Sequence, residues 1–412
     1  MIAGFLESFS KLRQFRLHYD DDFIDRLSRR YSVLLLIIFT ALVSTKQYVG
    51  DPISCWAPAQ FTGSHVEYTN YICWISNTYY LPWKDKIPDA NDKKKAHLNY
   101  YQWVPFILLT QAFMFYSPSF VWQSFSTKTG FDINTLVKLI NNSENLNPDM
   151  REKTLRYLAK HMDKALEVQR DNNSKSFSKF WRLFNRMFCF LFFQKRHGNY
   201  LLSVYLFTKV LFILNVFVQF FLLNNFLGNN YKLYGIEVIV NLLKSSSSFT
   251  PSLSPDTNQV VTHSEIIESE RFPRVTMCQF QVRFLGDNIH EYVVQCALPI
   301  NLFNEKIFIF IWFWLVYVAL ASIYGLLLWM WYLLPWNRVT FLKKYLKTMD
   351  RKSKEKFDKK MFRTFDRYYL KQDGVLVLRL IGKNSNQVFM GELMLALWDN
   401  FKRNQDYAGV FV

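Results

Sequence analysis

The sequence predicts an all-α membrane protein: four transmembrane helices per subunit, two extracellular loops with a small β element, and a helical cytoplasmic domain. Three observations predict it: four long apolar blocks, a lopsided distribution of Lys and Arg, and the placement of five cysteines. Of the 412 residues, 50% are hydrophobic and 18% aromatic, with 40 Phe and 12 Trp. Mean hydropathy is nevertheless near zero, so the apolar residues are gathered into blocks with polar segments between them. A helix needs about 20 consecutive apolar residues to cross a bilayer.

The blocks are Tyr31 to Val49, with the single charge Lys46; Trp103 to Phe125, with none; Tyr200 to Leu227, with only Lys209; and Ile307 to Leu334, with none. They divide the chain into an N-terminal segment (1–30), a first span (31–49), an external loop (50–102) and a second span (103–125). A middle loop (126–199), a third span (200–227), a second external loop (228–306), a fourth span (307–334) and a tail (335–412) follow. About thirty polar and charged residues precede the first block, and no small-residue cleavage pattern follows it, so it reads as a span and not as a signal peptide. A further patch, Met187 to Phe193, is too short to cross and reads as an interfacial or packed amphipathic helix.

Charge orients the spans. Residues 1–30, 126–198 and 335–412 hold 37 of the 50 Lys and Arg, whereas the two alternate loops hold 10. The positive-inside rule places both termini and the middle loop in the cytoplasm. The net charge of +17 fits contact with anionic lipid headgroups. No nucleic-acid motif accompanies it, so no nucleic-acid partner is expected.

The cysteines follow the same division. Cys55 and Cys73 fall in the first external loop, Cys278 and Cys296 in the second, and Cys189 inside. An even set in the oxidising compartment with one internal remainder is what redox conditions select. Four cysteines allow three pairings, and spacing alone does not choose among them.

Several motifs recur in a telling order. Tyr100-Tyr101-Gln102-Trp103-Val104-Pro105 stands where the polar first loop gives way to the second span. Asp51-Pro52-Ile53-Ser54-Cys55-Trp56 opens that loop. Arg271-Phe272-Pro273-Arg274-Val275-Thr276-Met277-Cys278 sits in the second loop, and Asn304-Glu305-Lys306 leads into Trp312-Phe313-Trp314. Asp20-Asp21-Asp22 with Asp25-Arg26-Leu27 precedes the first span. Together these resemble the innexins, the invertebrate gap-junction proteins, and the nematode members most closely.

The resemblance implies a fold and a function. Disulfides Cys55–Cys296 and Cys73–Cys278 would link the two external loops. Subunits would form a homo-oligomeric large-pore channel, a hemichannel of eight, at the plasma membrane. This would dock head to head with its counterpart in the adjacent cell, and ions and small metabolites would pass by diffusion. Mixed assemblies with paralogous innexins are a further expectation. Residues 1–19 carry Ile2, Phe5, Phe9 and Leu12 at helical spacing; the family places such a helix in the pore mouth, against the plainer reading of an interfacial helix. Pore-lining candidates are Ile2, Phe5, Phe9, Lys46, Gln47 and Asp51. For Lys46 a snorkelling position is the equal alternative. Two rival functions are a non-junctional hemichannel of the pannexin kind and a non-conducting four-span adhesion or scaffold protein.

The remaining segments give local expectations. Pro105 inside the second span predicts a kink near its external end, and Pro118 a second irregularity. Phe131 to Asn141 reads as a helix. Pro148 opens another, with Leu155, Leu158, Met162, Ala165 and Leu166 on one face, and residues 171–176 read as a linker. Lys209 calls for either snorkelling or a buried partner. Ser245 to His263 reads as a polar insert and Gln279 to Phe284 as a strand. Asn141 and Asn172 begin glycosylation sequons on the inner side, and the external loops hold none. In the tail, Leu342, Tyr345, Leu346 and Met349 share a face, as do Phe357, Met361, Phe365 and Tyr368, and Asp373 to Leu378 is expected to pack. No phosphate loop, zinc-helix motif or nucleophile elbow occurs, so no catalytic residue, metal or cofactor is expected.

Overall fold

The computed structural model describes residues 21–82, 87, 97–127, 132–142, 147–171, 198–228, 231–247, 271–284, 286, 288–349 and 359–408. Ile2, Phe5, Phe9, Met187 to Phe193, Cys189, Asn172 and Phe357 lie outside them. Among the described residues, four helices are long and apolar enough to cross a membrane: α1 (Phe23–Tyr48), α3 (Val104–Ser126), α6 (Tyr200–Leu227) and α8 (Pro299–Leu333). The chain folds as two compact units, one of residues 30–115 and 214–320, the other of residues 1–29, 116–213 and 321–412.

The first unit contains a five-stranded antiparallel sheet. Its strands are β1 (Ser54–Trp56), β2 (Thr78–Tyr79), β3 (His97–Leu98), β4 (Val275–Phe284) and β5 (Asn288–Ala297), in the order β1-β5-β4-β2-β3. The strand expected at 279–284 thus begins four residues earlier and pairs along its whole length, from Val275↔Ala297 to Phe284↔Asn288. Both disulfides lock this sheet. Cys55 and Cys296 face each other across β1 and β5 and are bonded, while Cys73 bonds Cys278. Cys73 lies on α2 (Gly63–Ile75), a helix in the first external loop that its weak apolar periodicity did not reveal. Thr62 and His65 form a reciprocal capping box at its start.

The second loop also opens on structure. α7 (Tyr234–Ser247) takes in the first residues of the polar insert expected from Ser245, and residues 248–263 of that insert lie outside the described ones. Gly235 of α7 has no room for a side chain, since a Cβ there would lie 2.1 Å from the Trp312 ring of α8. α8 begins at Pro299, eight residues before the apolar run. At 1.5 Å per residue its 35 residues reach roughly 52 Å, well beyond a bilayer core of about 30 Å. α3 begins at Val104, so Pro105 occupies the first turn, where its missing N–H costs nothing. The expected kink at Pro105 is therefore not present. Pro118 lies within the helix, which continues to Ser126.

The second unit is helical. α4 (Ile133–Ile140) is capped by Asp132 and buries Ile133, Leu136, Val137 and Ile140. α5 (Pro148–Asp171) opens on Pro148 and buries Leu158, Met162 and Leu166. α9 (Pro335–Met349), α10 (Lys359–Thr364), α11 (Lys371–Asn384) and α12 (Gln387–Ala408) complete it. Val375, Leu376, Val377 and Leu378 of α11 are buried, with Phe365, Leu393, Leu397 and Trp398, in one apolar core. The expected face Phe365–Tyr368 is corrected: Tyr368 is 71% exposed and Tyr369 is 2% exposed. Residues Phe365–Leu370 form a π-helical turn, whose wider winding moves the buried position on by one residue.

Candidate functional site

Two polar assemblies stand out, one in each unit. In the first unit, the segment before α3 is a packing hub. The Tyr100 hydroxyl donates to the Arg271 carbonyl at 2.9 Å. Its ring packs edge-on against Phe272, with centroids 5.7 Å apart, and the Phe272 ring stacks on Phe308 of α8. Tyr101 is wholly buried against Trp74 of α2. The Gln102 side chain donates to the Trp74 carbonyl. Burial raises the Tyr101 phenol to about 12 and the Tyr100 phenol well above its ordinary value. Both stay protonated, and Tyr100 serves as a donor. Val104 and Pro105 are buried, and Trp103 is exposed.

The Arg-Phe-Pro-Arg motif joins the same hub. Arg271 lies over the Tyr234 ring and 3.5 Å from Glu237. Arg274 pairs with Glu305, and Asn301 donates to the Pro273 carbonyl at 2.8 Å. The shared aromatic core explains why Tyr and Phe are needed in these motifs.

The wall candidates separate. Lys46 is half-buried and Asp51 is exposed. Gln47 is buried, and its amide donates to the Gln102 carbonyl at 3.4 Å. This contact ties α1 to the segment before α3.

In the second unit, the acidic segment before α1 meets Lys209 of α6. Lys209 is 2% exposed and donates to Asp25 at 2.8 Å. The Tyr205 hydroxyl donates to the other Asp25 oxygen at 3.2 Å. Of the alternatives open for Lys209, the structure selects the buried partner. Asp22 caps α1 through the Phe23 amide and accepts from Trp329 and Lys383. Burial alone would raise the Asp22 pKa; the Lys209 and Lys383 charges and the donated bonds outweigh it and hold the carboxyl below its usual value. Asp21 pairs with Arg29 at 2.9 Å. Asn384, at the end of α11, accepts from Arg26 and donates to the Asp21 carbonyl, while Asn141 donates to the Asn384 carbonyl. The acidic segment thus provides both a helix cap and an ion-pair network.

Lys383, Asn384, Trp329 and Tyr205 escaped the sequence reading because they lie far along the chain from the residues they bind. Asp373 escaped it too. It is wholly buried in α11, where its carboxylate accepts from the Leu202 amide in the first turn of α6 at 3.1 Å. Burial raises its pKa to about 6 against the opposing pull of these amides and Lys371.

Four spans, a disulfide-locked sheet between them in sequence, and a charged network gathered around Asp22 and Asp25 define an integral membrane protein of the four-span, large-pore kind. A family model described as Innexin matches residues 21–401, and the chain belongs to the innexin family, whose members are gap-junction channel subunits. Innexin unc-9 of Caenorhabditis elegans is 36% identical over 399 residues, covering 96% of each chain. Innexin-3 of the same organism is 34% identical over 393 residues, covering 94% of this chain and 86% of the relative. Innexin-11 is 34% identical over 407 residues, covering 95% and 81%.

Two outcomes test these contacts. Lys209→Met strands the Asp25 charge in a buried site and is expected to cost about 3–5 kcal/mol of stability. Adding Asp25→Asn should restore most of it, read as recovery of the thermal midpoint in detergent; a double variant as unstable as the single one would sink this. Asp373 gives a pH dependence. Its folded pKa of about 6 lies above the ordinary aspartate value of 3.8, so its contribution is full below pH 3.8 and is lost as pH rises through 6. Wild type should therefore gain about 2–3 kcal/mol relative to Asp373→Asn between pH 7 and pH 4, as measured by chemical unfolding.

Proposed function

We propose that eight copies of this chain, alone or mixed with paralogous innexins, ring a central pore in the plasma membrane. Both termini lie in the cytoplasm, and two such rings dock head to head through the external loops to join neighbouring cells. Ions and small metabolites pass by passive diffusion. The observation that carries the reading is the two-disulfide sheet: both external loops contribute strands to it and are bonded twice across it. A rigid, covalently braced cap is what a docking face requires, because a preordered surface loses little entropy on association. The charge asymmetry of the loops and the absence of sequons from the external ones support the orientation and leave the cap free of sugar.

The pore wall is assigned to Ile2, Phe5 and Phe9 of the N-terminal segment, by family resemblance, and to Lys46 and Asp51, which are accessible at the outer end of α1. A wide pore selects by size and wall charge, since no coordination shell is built.

Dye transfer between paired cells expressing the protein tests the function. Transfer is expected; uptake by single cells without transfer supports the pannexin-like hemichannel, and neither, with surface expression confirmed, supports the scaffold. In the same cells, Lys46→Glu should shift the permeability ratio several-fold toward cations. An unchanged ratio at normal surface expression removes Lys46 from the wall.

A further inference from the structure

The cytoplasmic end of α8 carries an arrangement that the channel reading does not use. Trp331, Leu334 and Trp336 are exposed at the junction of α8 and α9, Trp336 by 87%. Amphipathic rings at the end of a span settle at headgroup depth. Immediately behind them, the Arg379 guanidinium of α11 is held between two rings, 4.7 Å from the Tyr332 centroid and 4.4 Å from that of Phe341. Arg379 is only 9% exposed. It donates to the Asn337 carbonyl at 3.1 Å. Among the described residues, it has no ion-pair carboxylate and its Nε–H has no acceptor.

The Arg338 guanidinium lies on the same cleft, lined also by Trp329, Tyr332, Leu333 and Gln372. Arg338 donates to Asp366 at 2.6 Å, and its own Nε–H is without an acceptor. Asp366 therefore neutralises one arginine and leaves the cleft with the charge of the other. The aromatic clamp explains where Arg379 sits, but it does not repay the burial of a cation with donors left open.

The surface of α9 adds charge of the same sign. Trp336, Thr340, Lys343 and Lys347 share one face at helical spacing, with Lys344 beside it, and all are exposed. Among the described residues, none of these lysines forms an ion pair. A basic cluster directly after a span, at headgroup depth, is the electrostatic pattern that recruits anionic lipid.

We infer that this corner binds the phosphorylated headgroup of an anionic inner-leaflet lipid, with Arg379 and Arg338 donating to phosphate in the cleft and Lys343, Lys344 and Lys347 adding attraction from α9. Guanidinium suits the task because its planar fork matches phosphate oxygens. The inference rests on the proposed orientation, which puts this end of α8 at the cytoplasmic leaflet. It is read by binding to purified protein, so its failure is distinct from a failure of dye transfer.

The test is the thermal midpoint of the purified full-length protein in detergent, with short-chain lipids added. Dioctanoyl phosphatidylinositol bisphosphate is expected to raise the midpoint by several degrees, and dioctanoyl phosphatidylcholine to leave it unchanged. Arg379→Gln should abolish the rise. Should that variant fail to fold, the exposed triple change Lys343→Gln, Lys344→Gln and Lys347→Gln should weaken the apparent affinity at least several-fold. No rise with the phosphorylated lipid, an equal rise with phosphatidylcholine, or full retention in the triple variant overturns the proposal. An equal rise with soluble inositol trisphosphate also overturns it, since the ligand would then be a free phosphate and not a lipid.

Discussion

Burying a charge in an apolar surround is the constraint that shapes the helical unit. Lys209 sits in the third turn of α6 with almost no exposure, and it is tolerable there only because Asp25 meets it at 2.8 Å. An isolated ion in such a site carries a penalty of several kcal/mol, which a close partner and added hydrogen bonds can offset. The pair brings further requirements. Tyr205 satisfies the second Asp25 oxygen, its ring packs on Trp122 and Trp329, and Trp329 in turn donates to Asp22. Asp22 caps α1 and draws in Lys383. One buried ion pair therefore fixes the entry of the first span against α6, α8 and α11.

The other unit meets a different constraint. Its sheet strands are short except for β4 and β5, and a two-residue strand such as β2 has little stability of its own. Covalent closure compensates. The disulfides close loops of 241 and 205 residues, and bridging such long separations removes much conformational freedom from the unfolded chain. The aromatic hub of Tyr100, Phe272, Tyr234 and Phe308 then seats the sheet on the adjoining turns of the helices. Proline and aromatic residues dominate these motifs because rigid rings hold position with few rotamers to lose.

Much of this was legible in the sequence, for a physical reason. Hydrocarbon demands unbroken apolar runs, so the four spans announced themselves. The helix starts did not. α1 begins at Phe23 and α8 at Pro299, both in polar sequence where hydropathy carries no signal but Asp22 and Pro299 supply start signals. α2 was hidden because its residues alternate between polar and aromatic without a clean stripe. Tyr368 was misassigned because a π-turn breaks the 3.6-residue period on which the assignment rested. Asn384 carries three hydrogen bonds to distant segments, and nothing near it in sequence marks it; contacts across more than 200 residues are settled by folding and leave no local pattern.

The segment from Tyr100 to Pro105 shows how a signature differs from a site. Of its six residues, Tyr101, Val104 and Pro105 are buried, and Tyr100 and Gln102 spend their polar groups on carbonyls of neighbouring segments. Gln47 of α1 donates to the Gln102 carbonyl. Pro105 does not bend α3; it lies in its first turn, where a proline leaves no hydrogen bond unmade. The Tyr100 hydroxyl and the Gln102 and Gln47 amides hold the start of α3 to the second loop, α2 and α1. Lys46 near the end of α1 and Asp51 just beyond it keep solvent access that the signature residues Tyr101, Val104 and Pro105 lack, so the most recognisable stretch of this sequence is spent on packing.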